Sequence, residues 1–236
     1  MKFSIIIPCY NEEKNLLNLV EKLKRSLLNY DVEFILVENG SVDNSREVFE
    51  ALPQVDEVLI KRVYVDVNRG YGYGLIQGLQ KATGDYIGWI HADMQFDPEE
   101  LVKFFNYTEQ YTGNKLLFMK GIRKNRSLLD RSFTAGMTWF ETILFGTYMY
   151  DISAIPVLFD ARLIEKMDKP SYDFSIELYS YLTAKINHFK VVRMNVIQKP
   201  REEGTSSWNT GLKSRFKQSG VIIKASLKIK SGKQVK

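Results

Sequence analysis

The chain is 236 residues long, 44% hydrophobic and 26% charged, with a formal net charge of +5 at pH 7. That length and apolar content suffice to bury a full core in one domain of α/β size. No apolar run approaches the roughly 20 residues that span a bilayer, and the N-terminus reads as a strand instead of a signal peptide, so the expectation is a cytoplasmic protein.

Phe3 to Pro8 reads as a buried strand, and Asn11 as the cap of a helix whose Leu16, Val20, Leu23 and Leu27 recur at helical spacing. The single cysteine, Cys9, excludes an internal disulfide and reads as a small packing residue. Glu33 to Val37 is a second strand, closed by Glu38-Asn39-Gly40-Ser41 and followed by a helix over Asp43 to Leu52. A strand over Leu59 to Val65, a glycine-rich turn from Asn68 to Gly74, a helix over Leu75 to Ala82 and a strand over Tyr86 to Ile90 come next. Asp97 caps a helix with Pro98 at its first position, running to Tyr111, and Leu116 to Lys120 is the following strand. This alternation predicts an α/β fold, a Rossmann-like, mostly parallel sheet with helices on both faces.

The pattern changes after Gly121. Arg123, Lys124, Arg126 and Arg131 lead into Phe133 to Tyr150, a nearly charge-free aromatic and aliphatic segment that reads either as a core helix or as an amphipathic helix on a membrane surface. A helix over Asp173 to Lys185 and a strand over Phe189 to Val196 precede the loop Arg201 to Ser207. Residues 211–236 form a basic tail in which Lys213, Arg215, Lys217, Lys224, Lys228, Lys230, Lys233 and Lys236 have no acidic residue among them. Such a tail favours anionic surfaces. No nucleic-acid recognition motif accompanies it, so nucleic acid is not expected as a partner.

Chemistry concentrates where predicted strands end: Pro8-Cys9-Tyr10-Asn11-Glu12, Glu38 to Ser41, Asn68 to Gly74, and His91-Ala92-Asp93-Met94-Gln95. Open α/β sheets bind ligands at that carboxyl edge. Side chains two apart on a strand point the same way, which would bring His91, Asp93 and Gln95 onto one divalent cation, Mn²⁺ or Mg²⁺. The competing reading is a turn-forming aspartate. Glycines before a helix admit a phosphate to its N-terminus where one is bound.

With these segments in this order, the chain resembles the family 2 glycosyltransferases of GT-A fold, and within them the polyprenyl- and dolichyl-phosphate sugar synthases. The resemblance covers roughly residues 2–210, and implies a catalytic domain over 1–210 ahead of the tail. It implies that Pro8, Tyr10, Asn11 and Glu12 hold the base and ribose of a UDP- or GDP-sugar, with Glu38 on the base or ribose and Gly40, Gly70, Gly72 and Ala92 completing the nucleotide site. His91, Asp93 and Gln95 match the family's Asp-Xaa-Asp and following Gln, which bind cation and diphosphate. Asp93, Arg123 and Arg131 are the implied catalytic groups. Arg126, Asp151, Asp173, Arg201 and Ser206 are the implied phosphate and acceptor contacts, Arg201, Gly204 and Ser206 matching an Arg-Xaa-Xaa-Gly-Xaa-Ser motif.

Three positions depart from the pattern: His91 and Asn39 replace aspartates, and Ser207 stands where a basic residue often follows. The implied reaction is inverting transfer to a polyprenyl phosphate at the cytosolic membrane face, by a peripheral protein with a separate membrane partner or a second copy of itself. A sugar-hydroxyl acceptor would instead need Asp173 or Asp151 as a base, although Asp173 is also a natural helix cap. A nucleotide-sugar-binding module without turnover is the other alternative.

Overall fold

The computed structural model describes residues 1–27, 29–52, 59–168, 170–201 and 212–231. Strands β1 (Phe3–Cys9), β2 (Val32–Asn39), β3 (Leu59–Val65), β4 (Tyr86–Trp89), β5 (Leu117–Lys124), β6 (Val157–Asp160) and β7 (Lys190–Ile197) form one sheet in the order β3-β2-β1-β4-β6-β5-β7. The helices are α1 (Leu16–Leu27), α2 (Ser45–Ala51), α3 (Tyr71–Leu79), α4 (Val102–Gln110), α5 (Leu128–Phe145), α6 (Ile176–Ile186) and α7 (Leu212–Lys230). Among the described strands β6 alone runs antiparallel, between β4 and β5.

β1 and β2 are covered on both faces, which is why they read as continuous apolar runs. Residues of opposite parity on β1 identify the two covers. Phe3 stacks on Phe105 of α4 with ring centroids 4.0 Å apart, whereas Ile6 presses on α3 at Gly78, where a Cβ would collide with it. Helices therefore lie on both faces. Of the buried polar residues on these strands, Glu33 accepts from Ser4 at 2.6 Å and pairs with Lys61 at 2.8 Å.

Several boundaries differ from the sequence reading. Helix α1 begins at Leu16, because Asn11 sits at φ +56° and uses its side chain to accept from the Val42 N–H. Helix α3 begins at Tyr71, so Gly72 and Gly74 are helical instead of forming a turn. Strand β5 continues to Lys124 and carries Arg123 on the strand itself. Helix α5 starts at Leu128, capped by Ser127, and stops at Gly146 in the left-handed region. Strand β6 was not read from the sequence at all; at four residues it is too short to give a periodic signal.

The basic C-terminal segment is helical over Leu212–Lys230 and packs against α5 and α6, so its described part is not a free extension. Glu141 of α5 is buried under it, accepting from the Ser226 hydroxyl at 2.6 Å, while its Oε2 has no hydrogen-bond partner among the described residues. Burial pushes the Glu141 carboxyl from 4.5 to about 7, against the opposing Ser226 hydrogen bond. A folded-state value above the unfolded one gives stability that is complete below pH 4.5 and lost as pH rises through 7. The shift corresponds to about 3 kcal/mol. The excess of urea-unfolding stability at pH 5 over that at pH 7.5 should thus be smaller, or more negative, in Glu141→Gln than in the parent, by up to that amount.

Candidate active site

Strand order reverses between β1 and β4, the switch point at which open α/β sheets form a crevice. The segments leaving these two strands are joined there by Arg201, which follows β7. Its guanidinium donates to Asp93 Oδ2 at 3.0 Å and to Glu12 Oε1 at 3.2 Å, and Glu12 Oε2 accepts from Asn15 at 2.6 Å. Burial raises the Glu12 pKa, with Asn15 and Arg201 opposing and Asp93 adding to the rise.

β4 ends at Trp89, so strand alternation does not set the directions of His91, Asp93 and Gln95. A turn does. Met94 takes φ +58° with its side chain buried, and the Gln95 N–H donates to Asp93 Oδ1 at 3.1 Å. A left-handed non-glycine residue costs about 1 kcal/mol or more, and such residues concentrate at functional sites. Asn11 and Asp151 share this conformation around the same edge.

His91 Nδ1 lies 4.0 Å from Asp93 Oδ2. No group of three or more His, Cys, Asp or Glu suited to a metal occurs among the described residues. Mg²⁺-type sites, however, often use one or two protein ligands and leave the rest to substrate phosphate and water. Asp93 supplies a carboxylate to such a partial set, and a nitrogen from His91 beside it suits a transition ion such as Mn²⁺ better than Mg²⁺, whereas Gln95 joins the described network through its backbone.

Behind His91 stands a buried network that the sequence reading missed. Glu177 of α6 accepts from Trp89 Nε1 at 2.6 Å, Lys120 Nζ at 2.6 Å and the Tyr71 hydroxyl at 3.1 Å, and that hydroxyl lies 3.1 Å from His91 Nε2. Trp89 and Lys120 both pair with Val157 of β6, so they lie in one row across β4-β6-β5 and point to the same face. Phe174 stacks on Tyr71. Burial lowers the His91 pKa, outweighing Asp93 and Glu177, and likewise raises that of Tyr71. The available signals were a lysine inside the apolar strand Leu117-Phe118-Met119-Lys120 and a glutamate inside an apolar helix.

On the β1–β2 side of the edge, the Asn11 N–H donates to Ser41 Oγ and the Glu12 N–H to Ser45 Oγ, which ties the β1 exit to the segment after β2. Glu38 is buried, accepts from the Ser41 N–H at 2.7 Å and has no hydrogen-bond partner for Oε2 among the described residues, with Arg46 4.0 Å away. Pro8 and Tyr10 are half-buried, Ala92 is buried, and Gly40 takes φ +69° against Val67 and Asn68. Gly70 and Gly72 serve packing. A Cβ on either would strike the Ser171–Asp173 backbone, and the Tyr73 N–H at the start of α3 donates to Tyr172 O. The α3 N-terminus is thus closed by protein, not open to a phosphate.

Further along the edge, Arg123 forms a bidentate pair with Asp151, and Arg126 lies 4.0 Å from the same carboxylate. Burial alone would raise the Asp151 pKa, but Arg123, with Arg126 and Arg193 behind it, holds it below the ordinary value. These groups line a cavity of about 210 Å³ with Phe133, Met137 and Ile222. Arg193, also missed, anchors the wall by donating to Tyr150 O and Gly121 O. Arg131 does not reach this cavity and is exposed on α5. Asp173 Oδ1 accepts from Ser171 Oγ, Ser175 Oγ and the Ser175 N–H, the turn-capping role. Ser206, with Gly204, lies outside the described residues.

The sequence model for glycosyl transferase family 2 matches residues 4–145, more than half of the chain. The undecaprenyl-phosphate 4-deoxy-4-formamido-L-arabinose transferase of Proteus mirabilis is 32% identical over 111 residues, 46% of this chain and 34% of its own. That of Photorhabdus laumondii subsp. laumondii is 26% identical over 212 residues, 88% of this chain and 63% of its own. The chain spans from about a third to under two thirds of the length of these relatives. Glucosyl-3-phosphoglycerate synthase from Mycobacterium tuberculosis, crystallised with Mn²⁺, UDP and phosphoglyceric acid, matches with a TM-score of 0.71 at 16% identity, over 98% of this chain and 79% of its own. That likeness is one of fold, the GT-A fold.

The buried Lys120–Glu177 pair gives a stability test, since removing one member strands the other charge. Lys120→Met should cost about 3–5 kcal/mol in urea unfolding. Lys120→Met combined with Glu177→Gln should recover part of that loss.

Proposed function

The chain belongs to glycosyl transferase family 2, and from that membership we propose that it transfers a sugar from a nucleoside-diphosphate donor to a polyprenyl phosphate, with inversion at the anomeric carbon. The observation that carries the acceptor class is the cavity lined by Arg123 and Arg126. It sets Arg123 and Arg126, with Asp151 and Asp130 beside them, against the apolar Phe133, Met137, Ile152 and Ile222, a pairing that suits an anionic head on a hydrocarbon tail, and its wall residue Gln198 leads directly into Lys199 and Arg201 of the Asp93 network. The relatives named above as undecaprenyl-phosphate transferases support the same class.

In this reading Pro8 to Glu12, Glu38 and Gly40 take the nucleoside, and Arg201 meets the diphosphate. A divalent cation held by His91 and Asp93 would neutralise charge on the departing nucleoside diphosphate. Arg123 and Arg126, fixed by Asp151, orient the lipid phosphate. A phosphate monoester with a second pKa of about 6 is already an anion at pH 7 and needs no protein base. One of its oxygens attacks the anomeric carbon opposite the bond to the diphosphate, that bond breaks, and the nucleoside diphosphate leaves with the electron pair. The engagement of Asp151 with Arg123, and of Asp173 with two serines, speaks against either as the base that a hydroxyl acceptor requires.

We place the protein at the cytosolic membrane face, attached peripherally. No described helix is long and apolar enough to cross a membrane. Trp139 is 70% and Ile143 63% exposed on α5, and lysines of α7 add basic charge. These features suit an interfacial helix with electrostatic support.

Transfer from UDP- and GDP-sugars to polyprenyl phosphate, followed with Mn²⁺, tests the reaction. Asp93→Asn should lower kcat about 100-fold or more, the scale of a lost charge-stabilising group. Arg126→Ala should raise the acceptor KM about tenfold with kcat largely kept. Donor binding without turnover across all pairs would refute the reading. Flotation with anionic vesicles should be strong at low salt and weaker in Trp139→Ser; no binding at any salt would remove the membrane assignment.

A further inference from the structure

The hydrogen-bond directions around Glu177 determine which nitrogen of His91 carries its proton. Glu177 lies 2.6 Å from both Lys120 Nζ and Trp89 Nε1, so it is placed among donors and acts as a carboxylate that only accepts. The Tyr71 hydroxyl, 3.1 Å from Glu177 Oε1, must therefore spend its single proton on that contact. Towards His91 the phenol oxygen is left as an acceptor, so the proton in the 3.1 Å contact between them comes from His91 Nε2. A neutral imidazole has one N–H, and the remaining lone pair is on Nδ1, 4.0 Å from Asp93 Oδ2.

We infer that Glu177 and Tyr71 are positioning residues that hold His91 as its Nε2–H tautomer and present the Nδ1 lone pair beside Asp93 as a nitrogen donor for a divalent cation. The use of that lone pair rests on the cation reading given above; the tautomer does not. The ring is held in place as well as in tautomer: Tyr71 meets His91 edge-on at 5.2 Å between centroids, and Phe174 packs against both. A histidine ligand ordinarily donates its second N–H to a fixed acceptor, which sets both tautomer and orientation. Here the acceptor is a phenol whose own direction is fixed one bond deeper, by a carboxylate tied to β4 and β5. The relay gives His91 a defined ligand geometry at a position where the resemblance places an aspartate.

Imidazole ¹⁵N NMR reads the tautomer directly. The chain has two histidines, so His188→Asn serves as the parent; His188 lies at φ +58° after α6, a conformation that asparagine tolerates. The parent should show a protonated Nε2 and an unprotonated Nδ1 for His91 without any metal present. Tyr71→Phe, which keeps the ring stacked on Phe174, should lose that single-tautomer signature. Its Mn²⁺ dissociation constant, measured by electron paramagnetic resonance with UDP as probe, should rise about tenfold or more. An Nδ1–H tautomer in the parent overturns the relay, as does an unchanged tautomer and Mn²⁺ affinity in Tyr71→Phe. A parent with the expected tautomer that takes up no Mn²⁺ leaves the relay standing and overturns the cation reading instead.

Discussion

One buried carboxylate fixes the geometry of this edge. Taking an ionised glutamate out of water costs several kcal/mol unless donors surround it, and Glu177 finds them on β4, β5 and α3. Because Trp89 and Lys120 stand in one row of the sheet, on either side of Val157, the carboxylate can reach both only with α6 at one height above that row. The 171–175 turn that begins α6 is fixed with it. That turn closes the start of α3 through Tyr172 O and presses on Gly70 and Gly72. The glycines are therefore needed where another backbone passes close, and Tyr71 between them is carried to His91.

The same logic of paired charge runs along the rest of the edge. Asp93 and Glu12 share Arg201, and Asp151 holds Arg123 with Arg126 nearby. Guanidiniums held by carboxylates before a ligand arrives lose little freedom when they meet a phosphate, which is how preorganised donors act on developing charge. The carboxylates also limit the positive field, so affinity for an anion depends on local geometry more than on the net charge of +5.

What the sequence made legible follows from the range of each signal. The carboxyl-edge segments at Pro8 to Glu12, Glu38 to Ser41 and His91 to Gln95 were visible because strand, turn and helix signals adjoin each other locally. Arg201 was visible through its resemblance to a motif, but its two partners were not, since Glu12 and Asp93 lie 189 and 108 residues away in the chain. The Glu177 network combines residues 71, 89, 91, 120 and 177, and no local pattern couples them. Strand alternation failed at His91 for a definite reason: β4 stops at Trp89, and the turn through Met94 takes over the aiming of Asp93. Arg131 was placed with Arg123 through the resemblance to phosphate-gripping arginines after the fifth strand, yet helix α5 turns it outward while Arg126, before the helix, faces the cavity.

Helix α5 shows why composition could not decide between a core helix and a surface one. Thr134, Met137 and Thr138 repeat at three- and four-residue steps and face the cavity, and Glu141 extends that stripe to Ser226 of α7. Leu128, Trp139 and Ile143 lie on the opposite side and are exposed. A helix with a buried, largely polar stripe on one side and exposed apolar residues on the other needs a neighbour on both. On the inner side α7 supplies it, with Ser219 and Ile222 completing the cavity wall, so the basic segment belongs to the proposed acceptor site through its uncharged residues. On the outer side the proposed membrane surface would be the neighbour, and the charge-poor composition of α5 then answers two demands that a soluble, one-sided helix would not face together.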